Sequence, residues 1–293
     1  MGLPIDDEII TLIDRALEED LAGGVDVTTV ATIDEKSEGF ANFIVKAEGV
    51  IAGLDVAEAV MKRCGVTTFT RKVEEGSTVK AGTIVATAQG PLRAILLAER
   101  TSLNLISRMS GIATLAKRWV DAVSGTGVKI RDTRKTTPGL RTLEKFAVRT
   151  GGGINHRSSL SESALLKDNH IAAAGSIAEA FRSIRTKFPS IAVEVEVDTL
   201  DQLEEALEAG AKVILLDNMD LVMTKKAVEI NAGRAKLESS GGITLENARA
   251  YAETGVDFLA IGALTHSAPI LDISLEVLSP LSINDSERSK GSK

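Results

Sequence analysis

From residue 128 onward the chain alternates short apolar runs with segments of helical spacing, and no other feature restricts its fold as much. The runs are VKIRDT (128–133), ALLKD (164–168), AVEVEV (192–197), KVILLD (212–217), KLESSG (236–241) and DFLAIG (257–262). TLDQLEEALEAG (199–210) and TLENARAYAETG (244–255) lie between the later ones. Strands joined through helices pair in parallel, so this half is expected to be an α/β barrel or a doubly wound sheet. No GxGxxG follows the first strand, which disfavours a dinucleotide fold.

The first half reads differently. Residues 5–22 form an acidic amphipathic helix candidate, and 38–90 are short β-prone runs punctuated by glycine, the pattern of a small sheet domain. Within them VEEGSTVKAGTIVATAQG (73–90) resembles half of a biotinyl or lipoyl carrier motif, which would suit a noncatalytic carrier. No lysine lies between two such halves, so a plain strand-turn-strand piece is expected. Leu105, Met109, Ile112, Leu115, Trp119 and Val123 recur at three and four residues, predicting one long helix from Pro91 to about Ser124. The expected domains are 1–105, an α/β sandwich with its connecting helix, 106–280, the barrel, and 281–293, a polar tail.

Charge narrows the function. The chain carries a formal net charge of −7, yet 129–170 holds nine Lys/Arg against four Asp/Glu. A local reversal of that kind suits a small anion, whereas nucleic-acid binders are basic over a whole face and use aromatics, here only 3% of residues. The acidic start MGLPIDDEII and the lack of a long apolar run point away from secretion and the membrane, leaving the cytoplasm as the expected location. The lone Cys64 has no metal-site spacing and reads as a small core residue.

Barrel chemistry gathers at the carboxyl ends of the strands. In AVEVEV, Val193, Val195 and Val197 share one face and Glu194 and Glu196 the other. With the valines under the helices, both glutamates point inward, where they need partners: Lys135, Lys167 or a divalent cation near Asp217. Arg134, Arg157 and Lys167 together can neutralise a dicarboxylate. The late turns SSGGIT (239–244) and IGALTHS (261–267) are built for backbone approach to a phosphate. The residues alone therefore suggest an enzyme handling a phosphorylated substrate and a carboxylate substrate, with a divalent metal.

Seven ordered blocks carry a resemblance: DTRKTTPGLR (132–141), GGGINHR (151–157), KDNHI (167–171), VEVE (193–196), LLDNM (215–219), ESSGGI (238–243) and GALTHS (262–267). Over nearly its whole length the chain resembles the quinolinate phosphoribosyltransferases, type II phosphoribosyltransferases. That resemblance implies an N-terminal α/β sandwich domain and an incomplete α/β barrel of parallel strands. It also implies transfer of phosphoribosyl from phosphoribosyl pyrophosphate to quinolinate with loss of CO2, using Mg²⁺, in a homodimer or hexamer. By the same resemblance Thr133, Arg134, His156, Arg157 and Lys167 bind quinolinate, with Arg100 reaching in from a neighbouring subunit. Lys135, Glu196 and Asp217 are the implied catalytic residues, the two acids also serving the metal. Lys135, Ser240, Gly241, Gly242, Gly262 and His266 are implied for phosphoribosyl pyrophosphate. A paralogue of the molybdenum-transport type, with another substrate, is the alternative. The chain departs from the family at Ser158-Ser159, where a bulky residue and then a small one are usual.

Overall fold

The computed structural model describes residues 2–278; the tail expected at 281–293 lies outside them. The chain divides into two compact units, one formed by the residues up to Thr114 with those from Ala268 on, the other by Leu115–Ser267.

The N-terminal unit begins with α1 (Asp7–Leu21) and α2 (Val27–Thr32), followed by β1 (Glu38–Val45), β2 (Gly49–Val50), α3 (Leu54–Arg63), β3 (Thr68–Arg71), β4 (Thr78–Val79) and β5 (Ile84–Pro91). Asp6 starts α1 by accepting the Ile9 N–H at 3.1 Å, and Ala22, at φ +48°, ends it. The carrier-like segment supplies β4 and β5, and β5 lies between β1 and β3 in an antiparallel sheet of order β12-β1-β5-β3, in which β12 is Ile273–Val277. The predicted long helix is α4 (Leu92–Ala122), whose Met109, Ile112 and Trp119 are buried, as is Val123 just past its end. The boundary between the units falls within it.

The C-terminal unit contains β6 (Lys129–Arg131), α5 (Arg141–Thr150), β7 (Ala164–Leu166), α6 (Asp168–Ala174), α7 (Ile177–Lys187), β8 (Val193–Val197), α8 (Leu200–Glu208), β9 (Val213–Asp217), α9 (Leu221–Asn231), β10 (Lys236–Ser240), α10 (Ala248–Ala252), β11 (Phe258–Ala260) and α11 (Ala263–His266). All six strands are parallel, in the order β6-β11-β10-β9-β8-β7. The first strand thus pairs with the last and the rest follow in sequence, which is barrel order opened between β6 and β7. Ile154 bridges to Arg131 at the free edge of β6.

Side-chain alternation decides what faces the barrel axis. Ile130, Leu166, Val195, Val197, Ile214, Leu216, Leu237 and Leu259 are buried on the helix side. Their neighbours in each strand face the axis: Arg131, Leu165, Glu194, Glu196, Leu215, Asp217, Glu238 and Ser240. An apolar outside and a polar inside is the expected arrangement of β8, extended here to most strands.

One boundary is corrected. The segment from Ala268 was expected in the barrel, but β12 (Ile273–Val277) pairs antiparallel with β1, from Ala41↔Val277 to Val45↔Ile273. Its partner is over 200 residues distant, so no local pattern announces it. Gly111 of α4 makes the return path possible, because a Cβ there would lie 2.0 Å from the Pro269 carbonyl oxygen.

Candidate active site

The loops and strand ends of the C-terminal unit enclose a cavity of 420 Å³. Thr133, Arg134 and Lys135 reach it from the segment after β6, and His156 and Arg157 from the segment after α5. Lys167 follows β7, while Glu196, Asp217, Glu238 and Ser240 come from β8, β9 and β10. Nine of the fourteen residues expected at the site therefore line one cavity.

The cationic side is preloaded with repulsion. Arg157 is buried, its Nη1 donates to the Ser163 carbonyl at 2.5 Å, and the Nε atoms of Arg134 and Arg157 are buried without hydrogen-bond partners among the described residues. Burial, and then the adjacent Arg134 guanidinium, hold the Arg157 pKa below its usual value. Facing acids are provided by Glu196, whose Oε2 accepts from Lys167 Nζ at 2.5 Å, and by Asp217, whose Oδ2 accepts from Asn218 Nδ2 at 2.7 Å. Lys167, expected as a partner for the inward glutamates, pairs with Glu196; Lys135 is exposed and forms no ion pair with either.

Beneath this layer lies a cluster not foreseen as such. Arg131 hydrogen-bonds Glu238, stands 3.7 Å from Glu194 and stacks 4.9 Å from the Phe258 ring centroid. Glu194 Oε2 is 2.7 Å from His156 Nε2, and His156 Nδ1 accepts the Arg157 backbone N–H at 2.8 Å. Burial and then the Glu194 charge push Glu238 up to about 7. Donor atoms of His156, Glu194 and Glu238 fall within 4.8 Å of one another, but a cation there would compete with the Arg131 guanidinium for the same carboxylates.

A second buried knot ties two loops together. Asp132 accepts from Lys145 Nζ at 2.5 Å, Asn155 Nδ2 at 2.5 Å and the His156 backbone at 2.7 Å, while Lys145 also donates to the His156 carbonyl at 2.9 Å. Lys145 is one of the nine Lys/Arg of segment 129–170. Its place on the buried face of α5, between Glu144 and Phe146, becomes apparent only once α5 is packed. The inward register shared by Arg131, Glu194 and Glu238 was the one signal for the other cluster.

Of the remaining expected residues, Gly241, Gly242, Gly262 and His266 belong to the same unit as the cavity but are not among its lining residues. Gly241 and Gly242 follow Ser240 directly, and Gly241 is required by close approach: at φ +85° its Cβ would lie 2.0 Å from Asn218 Oδ1. A Cβ on Gly262 would be 3.0 Å from Lys135 Cδ and 3.2 Å from His266 Nε2, so those two side chains meet at this turn. His266 is exposed, with Nδ1 2.6 Å from Ser267 Oγ. Arg100, in the N-terminal unit, is exposed on α4 and is not a lining residue. At Ser158-Ser159 the loop closes on itself: Ser158 N donates to Glu162 at 2.6 Å, its carbonyl accepts from Arg141 at 2.8 Å, and the Ser159 and Ser161 hydroxyls are 2.9 Å apart.

Known proteins resemble the chain over both of its domains. The C-terminal domain of quinolinate phosphoribosyl transferase matches residues 112–276 and its N-terminal domain residues 26–110. A nicotinate-nucleotide pyrophosphorylase [carboxylating] of Mycobacterium leprae is 51% identical over 269 residues, covering 90% of this chain and 95% of that protein. A probable counterpart in Bacillus subtilis is 42% identical, covering 91% and 92%. The crystal structure of NadC from Streptococcus pyogenes superposes with a TM-score of 0.90 at 38% identity, covering 95% of this chain and all of that one. With both domains matched in order and the identity sustained over nine-tenths of its length, the chain belongs to the quinolinate phosphoribosyl transferase family.

Proposed function

We propose that the chain joins quinolinate to phosphoribosyl pyrophosphate and releases pyrophosphate and CO2, giving nicotinate mononucleotide for de novo NAD biosynthesis. The observation that carries this reading is the pair of arginines, the half-buried Arg134 and the buried Arg157, whose Nε atoms are buried and unpartnered among the described residues and which line one cavity with Glu196 and Asp217. A rigid dianion with adjacent carboxylates relieves the repulsion between the arginines and accepts their unpartnered N–H groups. Lys167 has three donors, so it can reach a carboxylate while keeping Glu196. Thr133, beside Arg134, completes the quinolinate side.

Two carboxylates on one cavity wall fit Mg²⁺, which keeps waters and takes one or two carboxylates with substrate phosphates. Glu196 and Asp217 would hold it, and when bound it would neutralise the departing pyrophosphate. Lys135 lies at the Gly262 turn with His266, where its ammonium would meet phosphate oxygens of the substrate. Ser240 and the Gly241-Gly242 backbone complete that phosphate side. The pyridine nitrogen attacks C1 of the ribose as the bond to pyrophosphate breaks and its electrons leave with pyrophosphate. The bond from C2 to its carboxylate then breaks; CO2 leaves, and the electron pair remains beside the positive ring nitrogen until a solvent proton takes it. The protein's part is to position both substrates and neutralise their charge.

The test is a quinolinate-dependent assay with phosphoribosyl pyrophosphate and Mg²⁺ that follows nicotinate mononucleotide and CO2 together, with nicotinate as the control. Both products from quinolinate alone are expected. A folded protein that binds phosphoribosyl pyrophosphate but yields neither product would refute the reading and favour the molybdenum-transport type of paralogue.

The reading includes a homodimer or larger assembly, in the cytoplasm, in which Arg100 completes the neighbouring site. Its support is an exposed arginine on α4 in a chain whose own cavity does not use it. Mixing inactive Arg100→Ala and Lys135→Ala proteins under exchange conditions should restore activity, because one site of each mixed pair is intact. Absence of recovery in demonstrably mixed dimers would sink this part. Among the described residues no helix is long and apolar enough to cross a membrane.

A further inference from the structure

We infer that His156 is a positioning residue, a neutral strut between Glu194 and the Arg157 backbone, and contributes no cation to the substrate carboxylates. The inference rests on the quinolinate reading above only for the ligand that Arg157 meets.

Both ring nitrogens are engaged inside the protein. Nδ1 accepts the Arg157 N–H at 2.8 Å, and an acceptor nitrogen carries no proton, so the single ring proton is on Nε2 and is donated to Glu194 Oε2 at 2.7 Å. The ring itself is only 8% exposed. Glu194 is held in turn: its other oxygen is 3.7 Å from Arg131 Nη1, and the same nitrogen binds Glu238, which is fully buried. On the other side, the His156 backbone is clamped from both ends, its N–H by Asp132 and its carbonyl by Lys145. The barrel floor therefore fixes Glu194, Glu194 fixes the imidazole, and the imidazole fixes the peptide that carries the Arg157 guanidinium into the cavity. Cationic charge is already supplied there by Arg134, Arg157 and Lys167. Protonation of His156 Nδ1 would break the bond to Arg157 and set one N–H against another.

Two measurements test this. Long-range ¹H–¹⁵N spectra of the uniformly labelled protein at pH 7.5 resolve three imidazoles, assigned with His170→Gln and His266→Gln. His156 is expected as the neutral Nε2–H form, both in the free protein and with saturating quinolinate. A doubly protonated ring, or a proton on Nδ1, in either state overturns the strut. If quinolinate does not bind, the functional reading fails while the free-protein spectrum still decides the tautomer.

The second measurement separates the two ring contacts. His156→Asn places an amide oxygen near the Nδ1 position, and His156→Gln an amide N–H near Nε2. His156→Ala should raise the quinolinate KM about 10-fold or more, in line with a lost buried hydrogen bond, with a smaller change in kcat. His156→Asn should recover more of that loss than His156→Gln. Recovery by Gln alone would mean that Nε2 addresses the ligand, and would overturn the proposal. Circular dichroism and thermal melts of each variant identify those that fail to fold. If both amide variants do, the tautomer spectra of the wild-type protein settle the matter.

Discussion

Single residues in this chain act through what burial does to their charge. Asp132 and Lys145 are almost wholly buried and neutralise each other, so Asp132→Asn leaves an ammonium without its counter-charge. Breaking such a pair costs about 3–5 kcal/mol, and the variant should melt several degrees lower, with quinolinate KM raised because the His156 backbone loses its clamp. Lys145→Met should cost less, since Asp132 keeps Asn155 and the His156 N–H. Glu238 has the opposite pH signature from an ordinary surface acid. Its pKa is raised in the folded state, from 4.5 to about 7, so its contribution to stability is complete below about 4.5 and is lost as pH rises through 7. Glu238→Gln, which mimics the protonated form, should therefore gain on the wild type between pH 5 and pH 8 by about 1–3 kcal/mol. Thermal melts across that range check it; a difference independent of pH would refute the buried-acid account.

At the scale of elements, the strand pattern was readable because valine and glutamate alternate in β8 and the structure puts them where a period of two requires. The same alternation in KLESS places Glu238 inward, yet the sequence could not reveal that Arg131, 107 residues away in chain order, comes to meet it. The turn after β10 is equally constrained. Gly241→Ala would force a Cβ onto Asn218 at a backbone angle that L residues avoid, a strain of about 1–3 kcal/mol. The expected result is a raised KM for phosphoribosyl pyrophosphate with quinolinate KM less affected. Adding Asn218→Gly should remove the steric part and return some of the loss. If Gly241→Ala is kinetically silent, the close approach of the two loops has no role in substrate binding.

For the whole molecule the decisive pairing is β12 with β1. Leu275 of that strand is buried opposite Phe43, itself fully buried in the N-terminal sheet. Leu275→Asp would place an unpaired charge in this core, and it should destabilise the N-terminal unit by about 2–5 kcal/mol. Hydrogen exchange should report it as faster exchange in β1 and β5, with the parallel sheet affected less. Uniform acceleration across both sheets would show that the two units unfold as one.

Periodicity, turn chemistry and local charge were enough to establish a small sheet region, a long helix, a parallel α/β half and a cationic site with inward carboxylates. Those properties are written in neighbours along the chain: alternation in a strand, three-and-four spacing in a helix, glycine where a turn tightens. Only the tertiary structure decided that β12 returns to the first sheet, that Lys167 and not Lys135 pairs with Glu196, and that His156 spends both ring nitrogens on protein partners. Each of these depends on which distant groups meet in a water-poor interior. There a polar atom must find a partner, and no local spacing records which one it will be.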